Sequence, residues 1–172
     1  MATCRRHRGF SLIEALFAVA ILGMLLASIA AAVRATFESY EENDKIASVT
    51  QSARWALAKI MTDIRTADSA DATSAQVTLV PPDNPGGLEQ IRYAYANGVL
   101  TYYRTVHGST TSYPLLGGED IALTLFAAQK SMGTDWEGQS CVKSITIRMQ
   151  FTVDNQTFAM TASASPRRNQ IF

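Results

Sequence analysis

Few residues in this 172-residue chain have types and spacings that could do chemistry. The two histidines, His7 and His107, and the two cysteines, Cys4 and Cys141, fall into two widely separated pairs. One histidine with one cysteine does not make a usual zinc site, which takes three or four nitrogen, sulfur or carboxylate ligands. The oxygen-rich stretches Asp83-Asn84 and Gly118-Glu119-Asp120 lack the ligand spacing of a calcium-binding EF-hand loop and are better explained as turns. Dinucleotide, P-loop and nucleophile-elbow motifs are absent. The expectation is no enzyme, no cofactor and no metal. The residue left to explain is Glu14, a carboxylate at the start of 19 uncharged residues, Ala15 to Val33. An unpaired charge buried there would be costly.

That apolar run, ALFAVAILGMLLASIAAAV, is long enough as a helix to nearly cross a hydrocarbon core of about 30 Å. Arg5, Arg6 and Arg8 precede it and are expected to stay cytoplasmic, which places the body of the protein on the far side of the membrane. A secretory signal would use the small residues SIAAA, Ser28 to Ala32, for cleavage, and a plain anchor fits the length. Neither accounts for Glu14. A lipoprotein signal is excluded, because Cys4 precedes the apolar run instead of following it.

The stretch RRHRGFSLIEALFAVAILGMLL resembles the class III leader and N-terminus of type IV prepilins and type II secretion pseudopilins. Arg5 to Gly9 correspond to the basic leader ending in glycine, Phe10 to the new first residue, and Ser11-Leu12-Ile13-Glu14 to the segment after it. The resemblance implies cleavage between Gly9 and Phe10 by prepilin peptidase, followed by N-methylation to give an N-methylphenylalanine. It also implies that Glu14 pairs with the amine of Phe10 on a neighbouring subunit. In a low-dielectric filament core each charge would offset the other.

From Phe10 onward nothing stops a helix, since no proline occurs before Pro81 and no glycine lies between Gly23 and Gly86. Ile46, Val49, Ala53, Leu57, Ile60 and Ile64 recur every three or four residues, one apolar stripe that carries the helix to Thr66 or Ala67. Trp55 reads as a packing residue, and Asp63 and Arg65 read as solvated charges or caps. DSADATS reads as a linker. Strands are expected at Ala75 to Val80, Leu88 to Tyr95, Val99 to Val106, Ile121 to Ala128, Val142 to Val153 and Gln156 to Ser163. Tight turns are expected at Asn97-Gly98 and Asp154-Asn155. Five tyrosines, Tyr93, Tyr95, Tyr102, Tyr103 and Tyr113, concentrate near the first hairpin, either as a packed sheet face or as a ligand surface. His107, beside Gly108, reads as solvated, and Cys141 as a half-buried residue at a strand edge.

The fold class expected is α+β, a type IV pilin-like fold with a long N-terminal helix packed on an antiparallel β-sheet. The chain divides into a leader at 1–9, a membrane or filament-core helix half at 10–33, an amphipathic half at 34–67 and a sheet domain at 68–172. The helix stretch from Ser52 to Ala67, the hairpin IRYAYANGVLTYYR and the ending TASASPRRN resemble PilW-like minor pilins and J-type pseudopilins. Neither the membrane-half proline nor the C-terminal cysteine pair of many major pilins is present, which suits a minor subunit. The partners implied are prepilin peptidase, other minor pilins or pseudopilins, the major subunit and the inner membrane. The domain would lie in the periplasm and then in a filament. Beyond the leader the chain holds 12 Lys and Arg against 15 Asp and Glu, an acidic balance that argues against nucleic acid as a partner. The other reading of the same filament subunit is an exposed tip module for adhesion or DNA uptake.

Mass spectrometry of the membrane-extracted protein is expected to find a mature N-terminus at a methylated Phe10. A start near Val33 would establish an ordinary signal peptide instead.

Overall fold

The computed structural model describes residues 11–82, 86–118, 122–134, 138–153 and 156–167. Its contacts divide the chain into two units, Met1–Asp44 and Lys45–Phe172. One helix, α1, runs Leu12–Thr66, 55 residues without a break. The absence of proline and the scarcity of glycine along it remove the usual causes of a stop or kink.

In the second unit, α1 buries Val49, Ala53, Leu57, Ile60 and Ile64 of the expected stripe, with Ala56 and Met61 beside them, while Ile46 is half-buried against the same core. Eight strands follow among the described residues: β1 Ser69–Thr73, β2 Gln76–Val80, β3 Leu88–Ala96, β4 Val99–Val106, β5 Ser109–Leu116, β6 Ala122–Thr134, β7 Ser140–Val153 and β8 Gln156–Ala164. They form two hydrogen-bonded sheets, β1-β2-β3-β4-β5 and β6-β7-β8, with every pairing antiparallel. This is the α+β layout of one long helix and antiparallel sheets, consistent with the type IV pilin fold.

Two strands escaped the sequence reading. The supposed linker DSADATS contains β1, whose one buried side chain is Ala72, too small to leave an apolar signal. Six of the eight residues of β5 are exposed and it contains Pro114. An edge strand tolerates both features, because nothing pairs with its outer side in the sheet order. Asn97 and Gly98 turn the chain with φ of 52° and 77°, and His107 and Gly108 repeat the turn with φ of 47° and 73°. Positive φ at both central residues matches the right-handed strand twist. The second turn is held by the Gly108 N–H, which donates to the carboxylate of Glu89 at 3.2 Å. The His107 ring occupies the space where a Cβ on Gly87 would stand, and Gly87 has φ of 62°, a conformation that favours glycine. The turn expected at Asp154-Asn155 lies outside the described residues, although β7 and β8 pair on either side of it.

The sheets meet where β6 passes β1. Ala128 N–H donates to Ser74 C=O at 3.1 Å, and Lys130 Nζ donates to Asp71 Oδ1 at 2.6 Å. That ammonium contact holds the Asp71 carboxyl below its ordinary value. Tyr95 adds a bond from its hydroxyl to the Leu123 carbonyl at 2.8 Å. In β6 burial passes from Leu123 to Phe126 and Ala128, a change of phase absorbed by the register shift between Leu123 and Leu125.

Helix and sheet are also joined by polar groups. Tyr93, fully buried on β3, donates its hydroxyl to Asp63 Oδ2 at 2.5 Å, and Lys59 Nζ reaches the same oxygen at 3.3 Å. The Lys59 ammonium also lies 5.1 Å from the centre of the Tyr102 ring, which packs 5.3 Å from the Tyr93 ring. Asp63, read from sequence as a solvated charge or cap, is therefore the polar tie between α1 and β3.

Burial, and then the bond to Asp63, push the Tyr93 phenol well above its ordinary value. The folded state favours the neutral phenol, so the associated stability is complete below about pH 10 and falls as pH rises beyond it. In a chain beginning at Ser39, Tyr93→Phe is expected to cost about 1–3 kcal/mol at neutral pH. It should also flatten the alkaline fall in stability. Urea unfolding of both proteins at pH 7 and above pH 10 measures the two effects, and parallel alkaline curves would contradict this account.

Candidate functional site: the exposed apolar helix

Helix α1 opens at Leu12, and Ser11 C=O accepts the first turn's bond from Ala15 N–H at 3.1 Å. Glu14 stands in this first turn, exposed, where the partial positive charge of the helix end favours a carboxylate. Gly9 and Phe10, the expected cleavage and methylation residues, lie outside the described residues, so the geometry around Glu14 is described from Ser11 onward.

In the first unit every described residue is exposed, including Leu12 at 83%, Phe17 at 64% and Met24 at 72%. An 18-residue window within α1 has mean hydropathy 2.6, and none of it is buried within the chain. An apolar surface of this extent calls for lipid or other protein around it. Ser28, within the apolar run, bonds back into the helix, its Oγ donating to Met24 C=O at 2.9 Å, and Thr36 just beyond it does the same to Ala32 C=O at 2.8 Å. Such internal bonding suits a helix with no water around it. Arg34 and Glu38 then pair at 2.9 Å, both largely exposed, where the helix becomes polar. In water a pair of this kind adds little stability.

Among the described residues no three His, Cys, Asp or Glu stand close enough to hold a metal ion. Asp83, Asn84, Glu119 and Asp120 lie outside the described residues, while Gly118 is a turn residue with φ of 127°. Cys141 is half-buried near the start of β7.

The tyrosines separate into different roles. Tyr93 and Tyr102 belong to the helix-facing cluster, and Tyr95 packs 6.3 Å from the Phe126 ring. Tyr103 pairs with Arg92, whose guanidinium lies 4.3 Å from the ring centre. Tyr113, on β5, is 55% exposed.

Trp55 is 60% exposed, contrary to its expected packing role. The stripe itself carried the signal for this. Two residues beyond Ala53 is about 200° round a helix, away from the buried face.

Residues 4–30 match the prokaryotic N-terminal methylation motif. Together with the bare apolar helix, the match supports a prepilin-like protein of the type IV pilin and pseudopilin kind, anchored in the inner membrane before joining a filament. Proteins of that kind are structural subunits, processed by prepilin peptidase and assembled with other pilin subunits. No curated protein and no solved structure matches the chain.

Proposed function

We propose that this chain is a minor pilin or pseudopilin that helps to initiate or assemble a type IV pilus or a type II secretion pseudopilus. Prepilin peptidase cuts it between Gly9 and Phe10, and the new amine of Phe10 is methylated. Before assembly the helix half at 10–33 spans the inner membrane with the sheet domain in the periplasm. The amphipathic half at 34–67 carries the sheet domain of 68–172 into the filament.

The observation that carries this reading is the combination of the methylation motif with a 0% buried apolar window behind Glu14. A helix that needs cover along its length and has a carboxylate in its first turn is suited to packing among like helices. There Glu14 offsets the Phe10 amine of a neighbour. The three arginines of the leader keep that end cytoplasmic until cleavage.

Glu14→Gln separates assembly from simple anchoring. With a membrane anchor alone, loss of the charge eases insertion and leaves function intact. With charge pairing, the substitution leaves a buried amine without its partner, a loss of about 3–5 kcal/mol. In a strain lacking the native copy, the variant is expected to be cleaved and membrane-resident but depleted from sheared filaments. Full incorporation at normal filament number would reject the pairing.

A further inference from the structure

Past Arg34 the helix does not become polar on every side. Leu26, Ile29, Val33, Phe37 and Tyr40 of α1 follow one another by three or four residues, so they fall on one stripe. Phe37 is 68% exposed and Tyr40 74%. Glu38 and Glu42 stand on the opposite face, and Arg34 and Glu41 share one flank. The other flank holds Thr36, Ser39 and Asn43, where Thr36 Oγ1 donates to Ala32 C=O and Asn43 Nδ2 to Ser39 C=O, each at 2.8 Å. Asp44 falls back on the apolar stripe and ends it.

We infer that this stripe seats on the bilayer interface of the membrane-resident chain, with Phe37 and Tyr40 at headgroup level, an inference that rests on the anchoring part of the reading above. The stripe is continuous with the apolar window that no part of the chain covers. Lengths place its end. Glu14 and Arg34 bracket the 19 uncharged residues, a rise of about 30 Å from one charge to the other and the thickness of the hydrocarbon core. With Glu14 at one boundary, Arg34 stands at the other, and Phe37 and Tyr40 lie about 5 and 9 Å further along the axis. The headgroup layer there is roughly 5–8 Å deep. Helical side chains lean toward the N-terminus, here toward the membrane, so both rings reach back into that layer. Aromatic side chains are favoured at this depth, tyrosine above all because one end of it is apolar and the other wet.

The seat is one-sided, and that gives it a consequence beyond anchoring. A helix apolar all round can turn freely about its axis in lipid, whereas interfacial anchors on one face set both its rotation and its tilt. Here the stripe turns toward lipid while Glu38 and Glu42 turn toward water. The chain therefore leaves the bilayer with one face fixed.

The test measures lipid contact on the two faces separately. In the full chain both native tryptophans, Trp55 and Trp136, become phenylalanine, and the protein is reconstituted at low density into phosphatidylcholine vesicles. Single tryptophans are then placed by Leu26→Trp, Tyr40→Trp or Glu42→Trp. Glu42→Trp keeps Tyr40, so the native stripe still sets the rotation. Lipid brominated near the chain ends is expected to quench Leu26→Trp. Lipid brominated near the headgroup is expected to quench Tyr40→Trp about threefold more than Glu42→Trp. Equal quenching at the two positions would overturn the one-sided seat. With Leu26→Trp quenched, an unquenched Tyr40→Trp would also overturn it and leave the anchor standing, and blue-shifted emission in that case would mean that protein covers the stripe. An unquenched Leu26→Trp would remove the membrane-spanning reading and this inference with it.

Discussion

A single continuous helix has to satisfy two different surroundings, and the rest of the molecule is arranged around that requirement. Up to Asp44 its side chains face outward with no protein cover, and from Val49 to Ile64 one stripe is closed over by strands. Neither half could trade places with the other. The apolar half has no polar face to offer water, and the later half carries Arg54, Lys59, Asp63 and Arg65, which lipid would exclude. The absence of proline and glycine between Met24 and Val80 lets both halves belong to one element.

On the sheet side, apolar packing is supplemented by a short chain of polar contacts. Apolar packing alone tolerates small slides, since the energy depends mainly on buried area and little on direction. The bond from Tyr93 to Asp63, with Lys59 at the same oxygen and over Tyr102, is directional and has one good geometry. It pairs a buried phenol with a carboxylate that also has a cationic partner, so no polar group of the cluster is left unmatched. Rotating or sliding α1 against β3 would break this bond before it uncovered much of the core.

The parts of the molecule legible in the sequence were those with a period or a turn signature. The apolar run, the stripe through Ile64 and the Asn97-Gly98 turn all appear in the structure where patterning places them. What escaped had no period. β1 buries one alanine and β5 is an exposed edge, so alternation is missing from both. His107 in a positive-φ turn is an uncommon choice that concealed the second hairpin. Asp63 and Tyr93 are 30 residues apart, and no local pattern marks a side-chain bond between two elements. The cleavage expected between residues 9 and 10 rests on resemblance alone, because the physical chemistry of a glycine followed by a phenylalanine does not by itself mark a scissile bond.

The strand order has a consequence for how the domain comes to be folded. In both sheets each strand pairs with its immediate neighbour in sequence, and no connection crosses over another. Loop closure therefore spans only a few residues at each hairpin, and the entropy lost before a contact is gained stays small. Strand pairing within each sheet thus proceeds between sequence neighbours, which favours fast folding for a β-rich chain, while the junction of β1 with β6 joins Asp71 to Lys130, 59 residues away. For a polypeptide tethered by its own apolar helix this shortens the time during which unpaired strand edges of neighbouring molecules could meet. Neighbour-to-neighbour strand order is in this sense a device against aggregation, one that resides in the connectivity and in no single contact of the finished structure.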